Sequence, residues 1–266
     1  YINSTNDSHR QRIRMRLGLT AKLLEPQFIE GELLHVGEVE AGVRVATGSV
    51  GNPVSTNKTL GDDDDSRSDI VLDRAYLKYS YKPLETIWGG KIPEFSFTGG
   101  IMKNPWFRPT SLVWDGDLAF EGVALNFKTD TLKVNPFNAF VTMGYFPIQE
   151  SEWTQDDKYM LGAQIGIEHK PFYGWRYKLA AAYYDYYNVE GFPITSRTRY
   201  DADEKKLASM EPKFMQKGNS TFYMDKTTIQ TTSNTYGYGL MSDFELLNVT
   251  GSLTNTHFWP IYVTLY

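Results

Sequence analysis

The sequence predicts an all-β fold, a transmembrane antiparallel β-barrel, on three observations. Hydrophobic alternation of period 2 runs along almost the whole chain, connections alternate between short and long, and aromatic content reaches 15% at a mean hydropathy of only −0.42. A sustained period of 2 leaves no place for helical domains, whose apolar residues recur every 3.6 positions. A helical membrane protein is excluded too, because no run approaches the roughly 18 to 20 apolar residues that span a bilayer as a helix. Low mean hydropathy suits a barrel, since only every second residue of a barrel strand meets lipid. The 18 Tyr, 15 Phe and 6 Trp fit the aromatic girdles of a barrel, and would also fit a β-sandwich.

The strand at residues 10–21 carries the clearest alternation. Ile13, Met15, Leu17, Leu19 and Ala21 fall on one face, and Arg12, Arg14, Arg16, Gly18 and Thr20 on the other. Three arginines cannot enter a dry core without partners, so their face must meet water, carboxylates or nucleic acid, while the opposite face must meet something apolar. A second strand follows at 39–47, with Val43 and Val45 outward and Arg44 inward. A third, at 70–81, alternates Ala75, Leu77 and Tyr79 with Arg74, Tyr76 and Lys78. Further strands are expected at 86–92, 121–128, 137–145, 159–169, 176–186, 238–249 and 261–266, about ten in all.

The connections 82–85, 129–131 and 171–174 are tight, whereas 49–67, 93–118, 146–157 and 188–235 are long. Tight turns at one end and long loops at the other are the plan of an outer-membrane barrel, and a soluble sandwich has no reason to sort its loops in that way. With 49–67 outside, the 10–21 strand runs downward and Tyr1 lies outside the cell, so one preceding upward strand is expected. The chain is read as one β-barrel domain over 1–266, truncated at both ends and lacking a signal peptide. Absence of cysteine removes disulfide frameworks and thiolate metal sites and accords with an oxidising compartment.

Several stretches resemble the putative-porin family of Gram-negative outer membranes. They are HRQRIRMRLGL at 9–19, GVRVATGSVGNPVSTNKTLG at 42–61, LDRAYLKYSYKP at 72–83, GGKIPEF at 89–95 and LVWDGDLAFEGVAL at 112–125. The match is specific in the first half and follows layout beyond about residue 146. The resemblance implies a barrel of about sixteen strands that passes small solutes by diffusion, without a cofactor.

In this register Arg12, Arg14, Arg16, Arg44, Arg74, Lys78 and Lys91 line the pore. They form either a basic wall that favours anions and polar solutes, or a polar lumen whose charges are each locally paired. The loop 93–118 holds Trp106, Phe107, Arg108, Trp114, Asp115 and Asp117, too many aromatics for a freely solvated segment. It is expected to fold inward as a constriction in which Arg108, Asp115, Asp117 and Glu121 meet the arginines; the alternative is a rim-packing loop at an oligomer contact. Asp62 to Asp65 lacks the spacing and turn glycine of a calcium loop and reads as a solvated acidic segment. His9, His35, His169 and His257 form no metal pair, and hydrolase, phosphate-loop and dinucleotide signatures are absent.

The expected function is therefore an outer-membrane porin for small polar or anionic solutes, not an enzyme, with no metal and no nucleic-acid partner. Its surroundings would be outer-membrane lipid and lipopolysaccharide, as a homo-oligomer such as a trimer or within a larger surface assembly. A structural or adhesive barrel anchoring such an assembly is the alternative, and a soluble carbohydrate-binding sandwich ranks third.

Overall fold

The computed structural model describes residues 12–24, 27–29, 32–35, 37–48, 57–59, 69–81, 94–129, 137–150, 157–171, 174–191, 212, 219–224, 238–255 and 263–265. In chain order the strands begin β1 (Arg12–Ile13), β2 (Arg16–Leu24), β3 (Gln27–Ile29), β4 (Glu32–His35), β5 (Gly37–Gly48), β6 (Lys58–Thr59), β7 (Asp69–Tyr81) and β8 (Glu94–Lys103). They continue β9 (Ala119–Lys128), β10 (Phe137–Gln149), β11 (Lys158–His169), β12 (Trp175–Tyr187), β13 (Thr221–Tyr223), β14 (Tyr238–Leu240), β15 (Glu245–Asn255) and β16 (Val263–Leu265). No helix occurs among the described residues.

Ten strands form one antiparallel sheet in the order β16-β15-β12-β11-β10-β9-β8-β7-β5-β2, and β1-β6, β3-β4 and β13-β14 are separate ribbons. Neighbours in the large sheet are successive in the chain apart from the ribbon strands, so its connections are simple up-and-down ones. β2 and β16 lie at opposite edges of the sheet, with no pairing between them among the described residues. Connections 49–68, 104–118, 150–157 and 188–244 leave one end of the sheet, and 25–36, 82–93, 129–136, 170–174 and 256–262 leave the other.

The two faces invert the arrangement of a soluble protein. Along β11 the residues Lys158, Met160, Gly162, Gln164, Gly166 and Glu168 are buried on the face that residues 104–118 cover, here the inner face. Leu161, Ile165 and Ile167, which alternate with them, are exposed. Asn138 and Gln164 are almost wholly enclosed on the inner side, while Leu19 is 79% and Leu247 76% exposed on the outer. Such a large apolar surface open on one side of a sheet cannot stand in water and needs a hydrocarbon neighbour.

Expectations about individual elements change, among them the strand at 238–249, which divides into β14 in the β13-β14 ribbon and β15 in the large sheet. β8 occupies residues that read as the start of the loop 93–118, so the inserted loop is 104–118. Within β8, Gly100 has φ +112°, and a Cβ there would collide with the Ala75 carbonyl oxygen of β7. Glu121, expected to oppose the arginines at the constriction, is exposed on β9, on the face of Val123 and Leu125. Phe120 and Ala124, its inward-facing neighbours, fix that parity. Arg12 lies beyond a break in the strand at residues 14–15. It pairs with Thr59 in the β1-β6 ribbon instead of joining β2. Lys91, Asp62 to Asp65, His9, His257 and the strand expected at 86–92 lie outside the described residues.

Candidate functional site: the inner face and its inserted loop

Residues 104–118 leave β8 and cross the inner face before β9 begins. Trp106 is 4% exposed, its ring edge-on to Phe146 of β10 at 5.9 Å and to Tyr184 of β12 at 5.2 Å. Trp114 meets Phe120 and Tyr184, each at 5.0 Å. Met102, Ala124, Met160 and Ala182 complete this cluster. Gly162 makes room for it, since a Cβ there would lie 2.6 Å from Trp106 Cζ2.

One residue further, Phe107 is tied to the wall through its backbone by Gln164. Gln164 is the seventh residue of β11 counted from the end that faces the loop. At roughly 3.4 Å per residue the loop therefore reaches about 20 Å down the strand, near its middle. Arg108 braces the loop from within, donating to the carbonyl oxygens of Trp114 at 3.5 Å and Gly116 at 3.3 Å. The Asp115 carboxylate accepts the Asp117 N–H at 2.7 Å, so it shapes the turn.

The far side of the loop reaches β2. Asp117 takes Arg14 Nη1 at 2.5 Å and Arg16 Nη2 at 2.9 Å. Partial burial pushes the Asp117 carboxyl up, but the hydrogen bond and charge of Arg16, together with Arg14, outweigh it and leave its pKa lowered. Behind this contact Arg44 and Arg74 face each other across the β5-β7 ladder. A bulge sets Asp73 beside them, and Arg44 Nε bonds its carboxylate. Lys22 pairs with Glu38 at 3.8 Å, Tyr76 donates to Glu40 at 2.7 Å, and Lys78 stands opposite Glu40.

The structure thus brings Arg14, Arg16, Arg44, Arg74 and Lys78 to one region, and Asp117 into contact with two of them. The wall is not purely basic, because Glu38, Glu40 and Asp73 are interleaved with the cations. Parity with Arg44 would have placed Glu38 and Glu40 there from sequence. Asp73 would have been missed, since the bulge reverses the face its number implies. Among the described residues no group of three or more His, Asp or Glu could hold a metal ion. His169 lies stacked on Phe137 at 3.8 Å.

A sheet apolar outside and polar inside, with a loop seated on its inner face, is the context in which comparison with known proteins can be weighed. The family model described as putative porin matches residues 1–266, the full chain. The chain belongs to that putative-porin family. Comparison with curated proteins gives no significant match, and comparison with solved structures gives none either. Family membership and the all-β sheet agree on a porin-like membrane protein.

Proposed function

We propose that this chain forms the wall of a closed, water-filled outer-membrane pore that passes small polar or anionic solutes by passive diffusion, with no catalytic step. The observation that carries the reading is the alternation along β11, where Lys158, Gly162, Gln164, Gly166 and Glu168, with Met160 as the one apolar exception, face the inserted loop and Leu161, Ala163, Ile165 and Ile167 face outward. Support for a narrowed bore comes from the depth of residues 104–118, which stand against Gln164 near mid-strand. In this reading Arg14, Arg16, Arg44, Arg74 and Lys78 line the wider side of the bore and Asp117 projects toward them. Interleaved carboxylates make the wall a paired lattice with a cationic excess, so selectivity for anions should be modest.

A second reading, a plugged barrel that anchors a surface assembly, draws on the ring cluster of Trp106, Trp114, Phe120, Phe146 and Tyr184, which fills part of the inner face. Planar-bilayer recording of the full-length protein decides between them. Steady ohmic conductance without an energy source is expected. Intact, heat-modifiable protein that never conducts would replace the porin with the anchor.

A further inference from the structure

The inner face holds a second charged site, nearer the end of the sheet where β11 turns into β12. A cavity of about 440 Å³ lies beneath residues 103–108, against β9 to β12. Its lining carries four cations, Lys103, Arg108, Lys128 and Lys178, and one carboxylate, Glu168. Glu168 is already committed, with Lys170 Nζ 3.2 Å and Arg176 Nε 3.7 Å from its Oε1. None of the four lining cations forms an ion pair within 4 Å among the described residues.

Lys178 is the most closely placed of the four. Its ammonium sits 4.2 Å from the Phe107 ring centroid and 4.5 Å from that of Phe140. Both rings are themselves held, Phe107 by Gln164 and Phe140 by the notch at Gly166, where a Cβ would collide with its ring. Ring faces attract the ammonium but supply no counter-charge, and Glu168, directly opposite Lys178 in the β11-β12 register, is shared with Lys170 and Arg176, so the lining keeps an excess of positive charge. Thr142 donates to Asn126 Oδ1 at 2.8 Å, leaving the Asn126 amide nitrogen as a further donor in the lining. Excess positive charge, amide donors and benzyl rings in one cavity match a ligand that is anionic at one end and flat and apolar at the other. The volume exceeds what an inorganic oxyanion fills.

We propose that this cavity binds a small organic carboxylate, its charge at Lys178 and Lys128 and its hydrocarbon against Phe107 and Phe140. The proposal rests on the porin reading in that it names the solute class such a pore would retain on passage.

Calorimetric titration of full-length protein in detergent with benzoate, its neutral isostere benzamide and inorganic phosphate tests it, with KCl conductance measured on the same preparation. Benzoate should bind saturably, and both other probes at least about tenfold more weakly. Lys178→Met keeps the side-chain stem between the rings and removes the charge, and should weaken benzoate about tenfold or more. Lys128→Gln, on a different strand, should weaken it in the same direction and serves if the first variant does not fold. Absence of saturable benzoate binding, equal binding of benzamide or phosphate, or an unchanged affinity in a folded variant would each overturn the site. Protein that conducts without binding benzoate loses the site alone, and protein that binds benzoate without conducting loses the porin reading alone.

Discussion

Gln164 grips the backbone of Phe107 at two points: the Phe107 N–H donates to Oε1 at 2.7 Å and Nε2 donates to the Phe107 carbonyl oxygen at 3.0 Å. Sheet geometry leaves the inner-facing amide of a strand residue free for such a role, because the ladder occupies only its backbone. A side chain on β11 thereby completes the hydrogen bonding of a loop that has no ladder of its own.

Replacing that amide by hydrocarbon tests how firmly the loop is seated. Gln164→Leu leaves two backbone groups unpaired, at about 1–3 kcal/mol each. The folded form should melt at a lower temperature on heat-modifiability gels. Gln164→Glu retains the acceptor and should fall between that variant and the parent. Trp106→Ala removes a buried ring and should cost about 3–5 kcal/mol. A Gln164→Leu protein as heat-stable as the parent would show that Phe107 finds other partners.

Asp117→Asn preserves shape while removing the charge that Arg14 and Arg16 share. Because the Arg14 side chain is 39% exposed, the pair should contribute only about 1–2 kcal/mol. Selectivity should respond more clearly, with the zero-current potential in a KCl gradient moving toward anions. A shift toward cations would place Asp117 away from the ion path.

Acid should reproduce that variant. The depressed Asp117 carboxyl contributes fully above its ordinary value of 3.8 and loses its contribution as the pH falls below 3.8 through the folded-state value. From about pH 8 to pH 5 the difference in zero-current potential between the parent and Asp117→Asn should stay constant. It should close only below pH 3.8, as Asp117 takes a proton at its lowered folded-state value. A difference that changes near neutrality would assign the effect to another group.

Single cysteines report the two faces. At Leu17, Leu19, Ile165 and Leu247, whose side chains are exposed on the outer face, a water-soluble maleimide should react poorly in liposomes, and lipid-borne nitroxide should quench an attached fluorophore. At Arg14 and Lys78 the pattern should reverse. Ready aqueous labelling at Ile165 would remove hydrocarbon from that face.

The faces of the strands were legible because alternation is a local property, and Arg74, Tyr76 and Lys78 stand inward as their spacing requires. Positions where the backbone departs from the pleat were not. Asp73 changes face at a bulge that no residue type announces, and Gly100 continues strand β8 at a positive φ inside the stretch expected as a loop. The Asp117 contact joins residues about a hundred positions apart, so only the charge complementarity was visible. Lys178 was passed over because the two rings that hold it come from a loop and from β10, on the far side of β11.

Residues 104–118 are fastened on one flank by interlocked rings and an amide, and on the other by an ion pair shared between two arginines. Dissolved salt screens charges over a length of about 8 Å at 0.15 M and leaves ring packing almost untouched, whereas warming acts on both. The first flank is a hinge indifferent to salinity, and the second is a latch that brine loosens. In the proposed pore, the bore should therefore widen asymmetrically with ionic strength, on the β2 side alone.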